Sequence, residues 1–166
     1  MVTKETSGLV IVNTGKGKGK TTAALGVLLR AWGWEMKVVM FQFIKSSRND
    51  WGEHKASRRM GVDILRAEEK SEGQAIKLWE LARERINSGA NDIVILDELS
   101  YPLRYGWLSA EEVLDVLRNR PLKTHIVITG RNVPQEFIDF ADVVTEMREV
   151  KHPLRKGIKA QPGIEF

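Results

Sequence analysis

The stretch "NTGKGKGKTTAALG", residues 13–26, decides how the rest of the chain is read. It sets Lys16, Lys18 and Lys20 in strict alternation with Gly15, Gly17 and Gly19. A solvated lysine run needs no glycine, and a flexible linker needs no charge at every second position. Together they suit a polyphosphate: glycines let successive backbone N–H groups turn inward, and ammonium groups supply counter-charge. The preceding "GLVIVN", Gly8 to Asn13, is a short β-branched run of the kind buried on both faces of a sheet. The following residues, Lys20 to about Trp32, carry Ala24, Leu25, Leu28, Leu29 and Trp32 at helical spacing. Strand, glycine-rich loop and helix in immediate succession form the setting of a P-loop, where the helix dipole adds its positive end. In that setting Lys20 reaches the terminal phosphates and the Thr21 hydroxyl ligates Mg²⁺. The usual pattern G-x-x-x-x-G-K-[ST] puts its first glycine where this chain has Thr14, so Gly15 and Gly17 are left to supply the turn.

A nucleotide site needs an acidic residue at the end of a second apolar strand. "NDIVILDE", Asn91 to Glu98, is the strongest strand pattern in the chain and ends on Asp97 and Glu98. A carboxylate there can hold Mg²⁺ directly or through water.

The other elements fall into an alternating order. Strands are expected at 37–44, 62–65, 124–130 and 142–147, with helices from 71 to Gly89, after the capping serine Ser109, and from Pro134. Apolar strands alternating with amphipathic helices specify a mostly parallel α/β sheet covered on both faces, a P-loop (RecA-like) fold in one domain over residues 1–166. Residues 1–7, the polar "KSSRNDWGEHKASRR" and the tail after Met147 are expected to be its least ordered parts. Trp32, Trp34 and Trp79 are expected in the core, and Trp107 half-buried near a turn.

Composition narrows the function. The 166 residues contain no cysteine, which excludes disulfides and thiolate-bound metals and suits a reducing compartment. No apolar run reaches the ~18 residues of a membrane span, and "MVTKETSG" lacks a signal-peptide core, so a cytoplasmic protein with no membrane partner is expected. The net charge of +4 is concentrated in the loop and in the tail "REVKHPLRKGIK", with no broad basic face, and nucleic acid is not expected as a partner. His54, His125 and His152 form no metal constellation in the sequence, and Lys45 lies at the carboxyl end of a strand, where open parallel sheets bind ligands.

The chain resembles the ATP:corrinoid adenosyltransferases of the CobA/BtuR type from Gly8 to Phe166. The matching segments are "TGKGKGKTTAALG", "RAWG", "FQFIK", "VILDELSY", "LRNRP", "VITGR", "ADVVTEM" and the ending "VKHPLRKGIKAQPGIEF". The family's loop has this same threonine-first form, and generic P-loop proteins have no reason to end in "GIKAQPGIEF". The resemblance implies transfer of the 5′-deoxyadenosyl group of ATP to the Co(I) of a corrinoid, with release of tripolyphosphate. By motif position, Thr14 and Gly15 to Thr22 (Gly15, Lys16, Gly17, Lys18, Gly19, Lys20, Thr21, Thr22) form the ATP cradle. Thr21 and Glu98, supported by Asp97, hold Mg²⁺; Lys20 and Lys18 stabilise the leaving triphosphate, and Arg131 of "ITGR" contacts phosphate. The resemblance also implies a homodimer and a separate reductant for the corrinoid. The alternatives are a P-loop ATPase, or an ATP- and corrinoid-binding module without adenosyl transfer. Two family features are not matched: an N-terminal helix over the corrinoid, where seven residues precede the first strand, and a Phe-x-Trp element, where this chain has "RAEEKSEGQ". Trp51 of "NDWGEH" is a candidate to take its place.

Overall fold

Runs of Val, Ile and Leu set the framework, because branched side chains fit a pleated surface buried on both sides. The computed structural model describes residues 7–44 and 51–165. Its strands are β1 (Val10–Thr14), β2 (Val38–Gln42), β3 (Asp63–Arg66), β4 (Ile93–Asp97), β5 (His125–Thr129) and β6 (Val143–Glu146). They form one parallel sheet in the order β3-β2-β4-β5-β1-β6. Every residue of β2 and β4 is buried, whereas β6 is an exposed edge strand.

Alternate residues of the central strands feed two cores. Val39, Phe41, Val94, Leu96, Ile126 and Ile128 meet α3 (Glu72–Ser88), α5 (Ala110–Arg118) and α6 (Gln135–Phe140) on one face. Met40, Ile93, Ile95 and Val127 meet α1 (Lys20–Gly33) on the other. Phe41 and Phe137 are wholly enclosed, and removing a side chain of that size from water contributes about 1.5–3 kcal/mol. The Ser71 hydroxyl accepts from the Gln74 N–H to start α3, and left-handed Gly89 ends it; Ser109 caps α5 by accepting from the Glu112 N–H.

The expected strand-and-helix order is present, with four differences. First, α1 buries Ala24, Leu28 and Ala31, leaving Trp32 46% and Trp34 79% exposed; only Trp79 of the three tryptophans is in the core. The apolar stripe of α1 is wider than the sheet can cover, so its outer edge faces solvent. Second, part of the polar segment forms α2 (Gly52–Met60), anchored by buried His54 and Ser57 and closed by left-handed Gly61. The expectation for Lys45 lies outside the described residues. Third, α4 (Ser100–Arg104) follows β4 directly, with no sequence pattern of its own. Fourth, the tail is largely irregular and exposed apart from a 3-10 turn at Pro153–Lys156 capped by His152, and it touches the loop after β1 at two places.

Candidate active site

The loop between β1 and α1 lies at the carboxyl edge of the sheet, where open α/β sheets bind ligands. It is built against the far end of the chain: Gly17 N–H donates to the Met147 carbonyl at 2.6 Å, directly after β6. A Cβ on Gly17 would stand 2.6 Å from that same oxygen, so close approach is what demands glycine there. Gly19, at φ 106°, turns the loop into α1 in a conformation that side chains with a Cβ avoid. Thr14 Oγ1 accepts from the Val133 N–H at 3.4 Å and ties the loop to the segment after β5.

Lys20 is 5% exposed, with Nζ donating to the carbonyls of Gly15 at 2.9 Å and Gly17 at 2.7 Å. Burial pulls its pKa below the ordinary lysine value. Glu98 and Asp97 oppose that shift, while Arg131 and Lys18 reinforce it. Lys20 is thus a desolvated ammonium with two carboxylates and two further cations near it. Lys16, Lys18 and Thr22 point outward from the loop, and Arg131 is exposed at the end of β5. Lys18 Nζ is held by Glu165 Oε2 of the tail, so a carboxylate sits on a loop ammonium.

The acidic half sits on β4. Asp97 is fully buried and acceptor-only as a carboxylate, and each of its oxygens is met by donors. Oδ1 accepts from the hydroxyls of Thr21 at 2.9 Å and Thr129 at 2.6 Å, and Oδ2 accepts from Gln42 Nε2 at 3.1 Å. Thr129 Oγ1 in turn accepts the Glu98 N–H at 2.9 Å. Glu98 holds φ 59°, left-handed for a residue with a Cβ, a strain of the sort retained at functional sites. Beyond it, Tyr101, Tyr105 and Trp107 stack with centroids 4.5 and 5.0 Å apart, and Lys70 Nζ lies 4.3 Å over the Tyr101 ring.

The fold thus brings Thr14 to Thr22, Asp97, Glu98 and Arg131 to one edge of the sheet. Gln42, His54, Arg66 and Thr129 join them unforeseen. His54 Nε2 lies 2.6 Å from Gln42 Oε1, and Arg66 Nη1 lies 3.0 Å from His54 Nδ1. In the sequence His54 belongs to no constellation, and the polar stretch around it carries no signal of these partners. Among the described residues no group of three or more His, Cys, Asp or Glu side chains could hold a metal ion. A divalent cation here therefore needs oxygens from a ligand as well, the habit of Mg²⁺ with phosphates.

The profile of the protein family described as ATP:corrinoid adenosyltransferase BtuR/CobO/CobP matches residues 6–166. The chain belongs to that family. It is 41% identical over 181 residues to the corrinoid adenosyltransferase of Sinorhizobium sp., covering 100% of this chain and 84% of the relative. It is 37% identical over 169 residues to the corrinoid adenosyltransferase of Escherichia coli K12, covering 96% and 86%. Among solved structures, the flagellar accessory protein FlaH from Methanocaldococcus jannaschii superposes with a TM-score of 0.59 over 84% of this chain and 71% of that one. At 12% identity that likeness concerns the fold alone. Within this adenosyltransferase, no helix among the described residues is long and apolar enough to cross a membrane.

Proposed function

We propose that this chain transfers the 5′-deoxyadenosyl group of ATP to the Co(I) of a reduced corrinoid and expels the triphosphate whole. Co(I), a two-electron nucleophile, forms a cobalt–carbon bond at the ribose C5′. The C5′–O bond breaks, its electron pair leaves on the triphosphate oxygen, and the cobalt becomes formally Co(III). The reaction as written starts from Co(I), so it draws on an electron donor for the corrinoid, and a reductant protein is the proposed partner.

The observation that carries this reading is the buried Lys20 ammonium inside a lysine-rich loop, with the Thr21–Asp97 pair beside it. Charge grows on the departing triphosphate in the transition state, and fixed donors that meet it there accelerate the step. The loop amides between Thr14 and Thr22 bind the phosphates, Lys20 and Lys18 stabilise the charge, and Arg131 adds a cation from β5. Lys18 does so after exchanging Glu165 for a phosphate oxygen.

Mg²⁺ fits the donor set. Thr21 directs its hydroxyl hydrogen toward Asp97, which would leave its oxygen lone pairs for a cation, and Glu98 would supply a second hard oxygen ligand. A Mg²⁺ ion held by these residues would supply counter-charge for the triphosphate. The corrinoid half is supported by the cluster of Tyr101, Tyr105 and Trp107, which follows Glu98 and puts an exposed aromatic, Tyr105, near the site where "RAEEKSEGQ" has none. The exposed stripe of Leu29, Trp32 and Trp34 supports a homodimer, and the absence of cysteine supports a cytoplasmic setting.

An anaerobic incubation of the chain with ATP, Mg²⁺ and chemically reduced corrinoid tests the reading. The absorption spectrum of a cobalt–carbon bond should grow only when all components are present. A spectrum identical with and without the chain would overturn it.

A further inference from the structure

We propose that His54 and Arg66, which do not belong to the phosphate loop, are positioning residues that orient the Asp97 carboxylate through Gln42. This rests on the reading of Asp97 and Thr21 as part of a magnesium–nucleotide site. Arg66, Gln42 and Asp97 lie side by side at the carboxyl ends of β3, β2 and β4, in register across the sheet. His54 of α2 reaches this row and is itself buried.

The direction of each hydrogen bond follows from one end. A guanidinium only donates, so His54 Nδ1, 3.0 Å from Arg66 Nη1, must accept. The Trp51 N–H points at the same nitrogen from 3.3 Å. The ring proton therefore sits on Nε2, which donates to Gln42 Oε1 at 2.6 Å. That contact fixes which way the Gln42 amide faces, and its NH₂ donates to Asp97 Oδ2 at 3.1 Å. Oδ1 is then reserved for the hydroxyls of Thr21 and Thr129.

Remove the His54 donor and the Gln42 oxygen loses its partner; the amide is then held only by Asp97, and amide and carboxylate can swing together out of their present positions. The Thr21 hydroxyl would lose the acceptor that points its proton away from the cation position. Arg66 cannot reverse its polarity, so it anchors the whole row. Partners one step beyond a metal's ligands commonly change its affinity by roughly 10- to 100-fold when removed.

Calorimetric titration of ATP with and without Mg²⁺ tests this on wild type, His54→Phe, His54→Gln and Arg66→Met, with unliganded melting as a check on folding. In wild type Mg²⁺ should tighten ATP binding. His54→Phe, which keeps the bulk, should cut that tightening roughly 10-fold, while leaving magnesium-free ATP binding within about twofold because the loop is untouched. His54→Gln retains a donor for Gln42 and an acceptor for Arg66, and should restore most of the loss. Arg66→Met, at a half-exposed position, should lose in the same direction and carries the test should His54→Phe fail to fold. A magnesium effect unchanged in His54→Phe or Arg66→Met, a His54→Gln variant as impaired as His54→Phe, or equal losses with and without Mg²⁺ would each overturn the proposal. Were wild type itself indifferent to ATP or to Mg²⁺, the site reading beneath it would fall instead.

Discussion

Gly17→Ala adds one methyl group where the phosphate loop and the tail are closest, and the structure sets the size of the effect. The new Cβ would stand 2.6 Å from the Met147 carbonyl oxygen and 2.8 Å from the carbonyl carbons of Met147 and Arg148. Ordinary contact begins at 3.4 Å, so loop and tail must part by most of an ångström. All three neighbours are backbone, and none can turn aside as a side-chain tip would. Separation breaks the Gly17 N–H to Met147 bond, worth about 1 kcal/mol. Overpacking adds about 1–3 kcal/mol, for a total of about 2–4 kcal/mol. At this chain length that lowers the melting temperature by roughly 5–15 °C. Gly26→Ala is the control of opposite sign: Gly26 is an exposed interior residue of α1 with open space around its Cβ position, so alanine should stabilise by about 0.5–1 kcal/mol. Urea titrations of both variants, with the slope held as a check on compactness, give the comparison directly. A Gly17→Ala protein as stable as wild type would refute the clamp between loop and tail.

Three further outcomes follow from the same geometry. Lys20→Met should weaken ATP binding by roughly 30- to 150-fold, the value of about 2–3 kcal/mol for hydrogen bonds to a charged group, measured by titration calorimetry. The same variant carries a pH signature. Because burial holds Lys20 below its ordinary value of 10.5, the unfolded chain binds the extra proton between the two values, and wild-type stability rises with pH across that alkaline window. Denaturant midpoints against pH should show that increment in wild type and not in Lys20→Met. Glu165→Gln frees Lys18 from a carboxylate that competes with phosphate, and should tighten ATP binding roughly 2- to 5-fold at low salt, the gain fading as salt is added. Ser109→Ala should cost about 1 kcal/mol of stability through loss of the cap on α5, read by thermal melting.

Residues that act through their neighbours in sequence were the legible ones. Residues 9–12 and 93–96 are unbroken apolar runs rich in Val and Ile, so β1 and β4 declare themselves, and the loop chemistry follows from residue types six places long. Ser109 and Gly89 mark helix ends by local rules that need no tertiary knowledge. Residues whose role depends on the far side of the sheet were not legible. Trp32 has the right spacing for the core, but the sheet ends before it does. His54 looked like a stray in a polar stretch because its partners, Gln42 and Arg66, come from two separate strands, β2 and β3. The contact of Met147 with Gly17 joins residues 130 apart in sequence, and the loop's glycines read as phosphate ligands alone until that contact is seen.

The fate of the triphosphate tests the central claim most directly. With ATP labelled at the γ-phosphate, reduced corrinoid and Mg²⁺ under anaerobic conditions, the label should appear in intact tripolyphosphate, one for each cobalt–carbon bond formed. Label released as inorganic phosphate, or ATP consumed at the same rate with no corrinoid present, would contradict adenosyl transfer.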